Sequence, residues 1–439
     1  MKRVLPCLFF IANFLMVSFF WFLTLQSRLT AHDTNFYLEA GRLTGLWGTY
    51  AILSQFLLLS GAPWVERAWG FDWLTRVHRW VGYFAAVCIL SHPAFLAFGF
   101  ASGAGQSFWG QLAQFMTWKD MLPAGVAYGV FVVVLFMLFE RVRKAVKYEV
   151  WFLIHAGIYG VILLAFAHEL TIGADLTDSH YFKWYWGMLY GLFLGVFFYF
   201  RLLRPVFYLC RHGLYVQKVV KETEDAVSVY IGGRDLRAFK ITAGQFFMPR
   251  FLAKGFWFEA HPFSFSCAHN PDYLRVTVKK LGDYTARLPL LPPGTPVMID
   301  GPFGIFTVDR TKRDKVLLIG GGVGVAPIRS VAEKFADMGK DVAIFYGNQN
   351  LRTIALKAEL DELMRRYAHV KAYYVMYDDP AWEGRKGFIT ADLIRELCPD
   401  AAQRDAFVCG PPLMMKSMLK ILPDLGISRE RIYYERFSF

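Results

Sequence analysis

The sequence predicts a multidomain membrane protein: an α-helical six-span bundle, then a small β-barrel, then an α/β nucleotide-binding domain. Three observations predict it. Apolar residues make up 55% of the 439 residues and charged residues only 19%, and the apolar excess lies in the first half. Beyond about residue 213 the pattern changes to short strands of alternating polarity, separated by glycine and proline turns. From about residue 310 a strand, a glycine run and a helix follow one another. The expected domains are therefore residues 1–212, 213–309 and 310–439. The net charge of +12 sits largely at helix ends, where positive-inside topology accounts for it better than a nucleic-acid partner does. No nucleic acid is expected. The six cysteines (Cys7, Cys88, Cys210, Cys267, Cys398 and Cys409) form no CxxC and no metal spacing, so reduced thiols are expected rather than a disulfide framework.

Taken in order, Lys2-Arg3 followed by Val4 to Leu25 looks like a secretory signal. The apolar run is too long for one and no small-residue cleavage site follows it, so it is expected to be span one. Spans two to six are expected at Gly41–Ala62, Thr75–Phe100, Met121–Phe139, Val150–Leu170 and Phe182–Phe200. Each is close to the roughly 20 residues that cross a bilayer. Arg141, Arg143, Lys144 and Lys147 follow span four, and Arg201, Arg204 and Arg211 follow span six. The opposite loops carry Asp33, Glu39, Asp175 and Asp178. Both termini are therefore expected on the cytosolic side of the lipid bilayer.

Span three carries His78 and His92, and span five carries His155 and His168, with gaps of 14 and 13 residues. Each gap covers roughly 20 Å of helix. Two such helices side by side give two facing pairs, His78 with His155 and His92 with His168, stacked across the membrane. A haem iron needs two axial ligands and imidazole serves well. The pattern points to two bis-histidine haems forming an electron path. A lone intramembrane histidine is as often a bonded core residue, but ionisable groups in spans are costly and default to function. Fourteen residues return nearly to one helix face. Thirteen land about 140° away on an ideal helix, so span five is expected to be distorted or its ligands to approach at different angles. Pro93 is expected to kink span three. Arg42, at the start of span two, is either an interfacial snorkelling arginine or a cation beside an outer haem propionate or an acceptor gaining charge.

In the second half, Ala226–Ile231 and Leu274–Lys279 read as strands, with turns at Gly232-Gly233, Pro292-Pro293-Gly294 and Gly301–Gly304. Short strands at this spacing suggest a β-barrel to about Val308. Then Lys315–Ile319 reads as a strand, Gly320-Gly321-Gly322-Val323-Gly324-Val325-Ala326-Pro327 as a loop, and Ile328–Met338 as a helix. Glycines there let backbone N–H groups approach a pyrophosphate at a helix N-terminus. Further strands are expected at Asp341–Tyr346, Val370–Met376 and Asp405–Val408, the last ending in Cys409-Gly410-Pro411-Pro412.

Four features together resemble the NADPH oxidase and ferric reductase superfamily, in its bacterial form: the paired histidines, His261-Pro262-Phe263-Ser264, Gly322-Val323-Gly324-Val325-Ala326-Pro327, and Cys409-Gly410-Pro411-Pro412. The resemblance covers nearly the whole chain. It implies six haem-bearing spans fused to a ferredoxin–NADP reductase-like module in a bacterial inner membrane, with FAD, two haems b, and NADPH or NADH as cofactors. His261, Pro262, Phe263 and Ser264 would hold FAD, with Lys279, Gly282 and Thr285 as the second flavin stretch. Gly322, Gly324 and Pro327, with Gly410 and Pro411, would hold the nicotinamide dinucleotide. Cys409 would sit near the nicotinamide, and Phe439 would stack on the flavin. Arg42 matches an arginine near the outer haem. Arg352 could pair with a 2′-phosphate, or be a surface arginine. Leu96 stands where superoxide-producing eukaryotic members often carry a further histidine, and no calcium-binding hands are present. The implied activity is electron transfer from cytosolic NAD(P)H to oxygen or a ferric chelate outside. The alternatives are an electron supplier to a dedicated periplasmic protein, and a non-redox six-span transporter with a nucleotide-sensing domain.

Overall fold

The computed structural model describes residues 4–31 and 34–435. Phe439, expected to stack on a flavin, lies outside the described residues. The chain divides into two compact units, Met1–Trp69 with Trp73–Phe200, and Gly70–Asp72 with Arg201–Phe439.

The first unit is helical: α1 (Val4–Thr30), α2 (Phe36–Leu58), α3 (Pro63–Trp69), α4 (Phe71–Ala104), α5 (Phe108–Phe115), α6 (Met121–Phe136), α7 (Glu140–Ala145), α8 (Tyr148–Ala156), α9 (Ile158–Thr171), α10 (Ala174–Asp178) and α11 (His180–Phe198). Asn35 opens α2 and Ser179 opens α11, each accepting a backbone N–H in the first turn. Leu53 of α2 and Phe182, Trp186 and Phe193 of α11 are fully buried at the centre. Phe20 stacks on Phe182 at 4.9 Å.

Among the described residues, four helices are long and apolar enough to cross a bilayer: Val4–Thr30, Phe71–Ala104, Glu149–Thr171 and His180–His212. A fifth is made if Phe36–Leu58 and Pro63–Trp69, bent by 90°, count as one. The expected second span, Gly41–Ala62, ends earlier because Gly61 takes a left-handed φ of 73° and Pro63 starts a new helix. The expected fourth span stops at Phe136 after 16 residues, about 24 Å of helix, short of a bilayer core of roughly 30 Å. Pro93 lies inside a continuous α4. The expected distortion of span five is a break at Gly157, between α8 and α9. There Gly157 N–H bonds the Ile154 carbonyl at 3.0 Å and Gly160 N–H the Gly157 carbonyl at 2.9 Å. These are three-residue bonds. A 3₁₀ turn advances about 120° per residue against about 100° in an α-helix, so each tightened residue recovers part of the missing rotation.

The second unit begins with α12 (Arg204–His212) and two three-stranded antiparallel sheets. One has the order β1 (Tyr215–Lys221), β2 (Ala226–Gly232), β5 (Leu274–Lys279), and the other β4 (Phe263–Ser264), β3 (Phe246–Phe251), β6 (Val297–Phe303). Isolated bridges at Tyr215–Pro296 and Phe265–Val276 link them; among the described residues the ladders do not close into the expected barrel. β4 has only two residues, and Pro262 before it offers no backbone donor. Both sheets share one core of Val216, Phe247, Phe265, Val276 and Ile299. Helix α13 (Asp283–Arg287) lies between β5 and β6.

A six-stranded parallel sheet follows, built from β7 (Lys315–Gly321), β8 (Asp341–Asn348), β9 (Val370–Met376), β10 (Arg385–Lys386), β11 (Asp405–Cys409) and β12 (Ile432–Tyr434) in the order β10-β9-β8-β7-β11-β12. Its helices are α14 (Val325–Asp337), α15 (Lys357–Arg366), α16 (Ala391–Leu397) and α17 (Pro412–Asp424). The order reverses between β7 and β11, and such a switch point opens a crevice at the strand ends. Pro327 falls in the first turn of α14, where its missing N–H costs no helix bond.

Candidate functional site

The four membrane histidines divide among three helices: His78 and His92 on α4, His155 on α8, His168 on α9. The rings of His78 and His155 face each other with centres 6.2 Å apart and planes at 68°. Two imidazoles bonded through one nitrogen each, at roughly 2 Å, to one metal between them hold their centres roughly 6 Å apart. The Nδ1 atoms of both rings are buried without a hydrogen-bond partner. His155 also stacks on Trp151 at 5.3 Å and 11°. His168 lies within electrostatic reach of His92. Among the described residues no three or more of His, Cys, Asp and Glu converge as a metal site. Pairs are too few for an ion held by protein alone, and suffice for an iron held by a macrocycle.

Helix α2 explains how α4 is held, and the sequence reading missed it. His92 Nδ1 lies 2.7 Å from the Gly41 carbonyl. A carbonyl only accepts, so Nδ1 carries the proton and Nε2 is left as the ligand nitrogen. A Cβ on Gly45 would lie 2.6 Å from His92 Nδ1, and one on Gly48 would lie 2.6 Å from Ile89. The bare backbone at these two positions lets α4 approach. Gln55 of the same helix donates to the His78 carbonyl at 2.8 Å. Glycine spacing on α2 was the available signal, and it gains meaning only once the partner helix is known.

Arg42 does not stand alone. It bonds Glu39 at 2.6 Å, and Glu39 pairs with Arg28 at 2.8 Å. Arg28 also reaches Asp175 at 2.8 Å, and Thr24 donates to Asp175 at 2.5 Å. The network joins α1, α2 and α10, and Arg28, Glu39 and Asp175 are buried.

In the second unit, His261 bonds Glu259 at 3.0 Å and lies 4.3 Å from the ring of Tyr284. Phe263 faces the same tyrosine. Ser264, on β4, is nearly buried and pairs with Phe246. Lys279 is engaged by Asp225 at 2.8 Å. There, burial raises the carboxyl's affinity for protons, and the lysine bond and charge outweigh it, so Asp225 titrates below its ordinary range. Thr285 accepts from the N–H groups of Leu281 and Gly282, at 2.9 and 3.1 Å, and so shapes its own loop. A Cβ on Gly282 would meet open space. Arg250, on β3, has a buried Nε without a partner and lies within electrostatic reach of Tyr284. An aromatic slot beside a half-buried arginine with an unsatisfied Nε fits a flavin with a pyrophosphate. Tyr284 and Arg250 went unnoticed in the sequence because neither belongs to a motif.

The two glycine-bearing loops expected to hold a dinucleotide meet at the switch point. A Cβ on Gly324 would lie 2.4 Å from the Cys409 carbonyl, and one on Gly410 would lie 3.1 Å from Gly321 N. Pro411 packs on Gly321, and Gly322 takes a left-handed φ of 52° with open space beside it. Cys409 is fully buried; burial, then the charge of Glu435, pushes its thiol far above the ordinary range. It is a neutral, apolar contact rather than a nucleophile. Arg352 lies on the exposed loop after β8, where its N–H bonds Asn350 at 3.0 Å.

Comparison with known proteins gives three family matches. Residues 44–166 match the ferric reductase like transmembrane component, 213–291 an FAD-binding domain, and 318–420 an oxidoreductase NAD-binding domain. A flavohemoprotein of Xylella fastidiosa is 31% identical over 203 residues, 45% of this chain and 51% of that protein. NADH-cytochrome b5 reductase 1 of Mortierella alpina is 34% identical over 141 residues, 31% and 47% respectively. The glycine betaine monooxygenase reductase subunit of Chromohalobacter salexigens is 27% identical over 240 residues, 52% and 64%. The chain spans about half the length of the first of these relatives.

Proposed function

We propose, from the premise that this chain has the architecture of the NADPH oxidase and ferric reductase superfamily, a ferric-reductase-like membrane component fused to FAD- and NAD-binding reductase domains, that it carries electrons across a membrane from NAD(P)H to oxygen or a ferric chelate. The finer reading is six spans with both termini cytosolic in a bacterial inner membrane, and a barrel-like flavin domain. FAD, and haems b at the His78–His155 and His92–His168 levels, would supply the conversion of a two-electron donor into single electrons and their passage through the bilayer.

The chain's own residues have the following parts. Phe263, His261 and Tyr284 would hold the flavin ring, and Arg250 would balance phosphate charge. The loops at Gly322–Pro327 and Cys409–Pro411 seat the dinucleotide, their N–H groups toward its pyrophosphate. Cys409 excludes water beside the nicotinamide. His92, with its proton fixed on Nδ1, offers Nε2 to iron. His92 and His168 would hold the haem iron, and the haem would supply single-electron transfer to an acceptor outside its coordination shell. Glu39 holds Arg42 in place near the acceptor end.

The observation that carries this reading is the facing of His78 and His155 across α4 and α8, at 6.2 Å between ring centres. The experiment is a visible spectrum of the purified protein with FAD, before and after anaerobic NADPH and, separately, NADH. The expected result is a low-spin haem b spectrum at two haems per chain that the nicotinamide reduces. Protein that binds no haem, or haem that neither nicotinamide reduces while FAD is bound, would overturn the proposal.

A further inference from the structure

Glu169 follows His168 directly on α9, and its carboxylate is tied to two other helices. Oε1 accepts from the Thr49 hydroxyl of α2 at 2.9 Å. Oε2 accepts from Trp186 Nε1 at 2.9 Å and from the Tyr190 hydroxyl at 2.8 Å, both on α11. All three donors are buried, at 6%, 0% and 4% exposure. An acid in a membrane helix is costly unless its oxygens are satisfied, and here they are.

The break at Gly157 makes this anchor matter. In one unbroken helix, the direction of His168 would follow from that of His155 through the fixed turn per residue. That direction is wrong by about 140° for a second ligand on the same face. Because the turn at Gly157, between the two histidines, is tightened, the rotation of α9 about its axis departs from that of an ideal continuation of α8. Something must then select that rotation. Neighbouring residues on a helix diverge by about 100°, so clamping Glu169 on two sides fixes where the His168 ring points. Among the described residues, His168 Nδ1 is buried without a hydrogen-bond partner that would do this.

We infer that Glu169 is the positioning residue for His168: its three-way bond to Thr49, Trp186 and Tyr190 sets the rotation of α9 that turns His168 toward His92. The inference rests on the reading of these two histidines as iron ligands. It concerns orientation alone and requires no change in the protonation of Glu169.

The test uses the full-length protein loaded with haem, as wild type, Glu169→Leu and Glu169→Gln. Haem content per chain and the low-temperature EPR spectrum of the oxidised protein are measured, because EPR of a bis-imidazole iron reports the angle between the two rings. Wild type should give two haems and two signals. In Glu169→Leu one signal should shift or vanish, haem content should fall toward one per chain, and the other signal should be unchanged. In Glu169→Gln, which keeps one acceptor oxygen, the same signal should shift less and both haems should remain. Glu169→Leu protein with both signals and both haems as in wild type would overturn the inference, as would equal loss of both signals. If Glu169→Leu does not assemble, Glu169→Gln decides: a shift confined to one signal supports the inference, and none or two overturn it. Wild type without haem would instead remove the reading on which the inference rests.

Discussion

The two histidine levels of the bundle are built from the same ligand type and held by different means. At the level of His92 and His168, polar groups on neighbouring helices do the holding. The Gly41 carbonyl fixes the proton of His92, Gly45 leaves room for its ring, and Glu169 ties α9 to α2 and α11. At the level of His78 and His155, both Nδ1 atoms are buried without partners, whereas at the other level that is true of His168 alone. Orientation there comes from packing, chiefly the Trp151 ring against His155 and the Gln55 bond to the His78 backbone. A buried unpaired donor costs about 1–3 kcal/mol. The first level thus has the His92 ring and the α9 helix fixed by the protein in advance, whereas the second relies more on the bound group to fix its rings.

The largest expected effect breaks the comparison at one level only. His92→Ala should abolish transfer to an external acceptor, a loss beyond the roughly 10–100-fold that removing a ligand's hydrogen-bond partner costs, while NAD(P)H still reduces FAD. Stopped-flow flavin reduction beside external acceptor reduction measures both. Wild-type transfer in this variant would end the two-level scheme.

A smaller effect is expected from Gly45→Ala. Its new Cβ would sit 2.6 Å from His92 Nδ1, so the ring must move and the bond to Gly41 is lost, costing about 1–3 kcal/mol of ligand affinity. Haem titration should show one weakened site. Gly191→Ala, on α11, is the sharpening control: its Cβ would meet nothing within 4 Å, and both sites should titrate nearly as in wild type.

Trp151→Leu should act at the other level, removing a stacked pair worth about 0.5–1.5 kcal/mol. The His78–His155 signal should broaden as the ring angle loosens, with its neighbour unaffected. Gln55→Leu should be the mildest, about 1 kcal/mol for one hydrogen bond, seen as a small fall in thermal stability at unchanged haem content. If Trp151→Leu and Gly45→Ala gave the same haem titration, the contrast between prearranged and loosely held rings would be wrong.

How much of this was readable beforehand depends on the distance over which each feature is encoded. The parallel strands and their glycine loops were legible because the signal is local: a strand run, a glycine run and a helix within some twenty residues. The facing of His78 and His155 was legible because spacing along two helices carries it. The span count was not, since α6 is apolar enough but three residues shorter than its hydrophobic stretch suggested. Barrel closure was not, since the two sheets are joined among the described residues only by isolated bridges beside a two-residue β4. The groups that orient the histidines were invisible for a different reason. Gly41 and His92 are 51 residues apart, and Thr49 and Glu169 are 120 apart. No local pattern marks a carbonyl or a threonine as the partner of a ring on another helix. Lys279 and Thr285 illustrate the converse: the resemblance placed both in a flavin stretch, and each also has a partner nearby, one in Asp225 and one in its own loop.

The buried network around Arg28 also bears on how the chain is made. Arg28 closes the first helix, yet one of its carboxylate partners, Asp175, is encoded 147 residues later. At synthesis rates of about 5–20 residues per second, the arginine waits on the order of ten seconds for that partner to emerge. Until then it must remain hydrated at the membrane surface, with Glu39 as its early companion. The first helix can therefore be locked to the bundle through this pair only after residue 175 has been made.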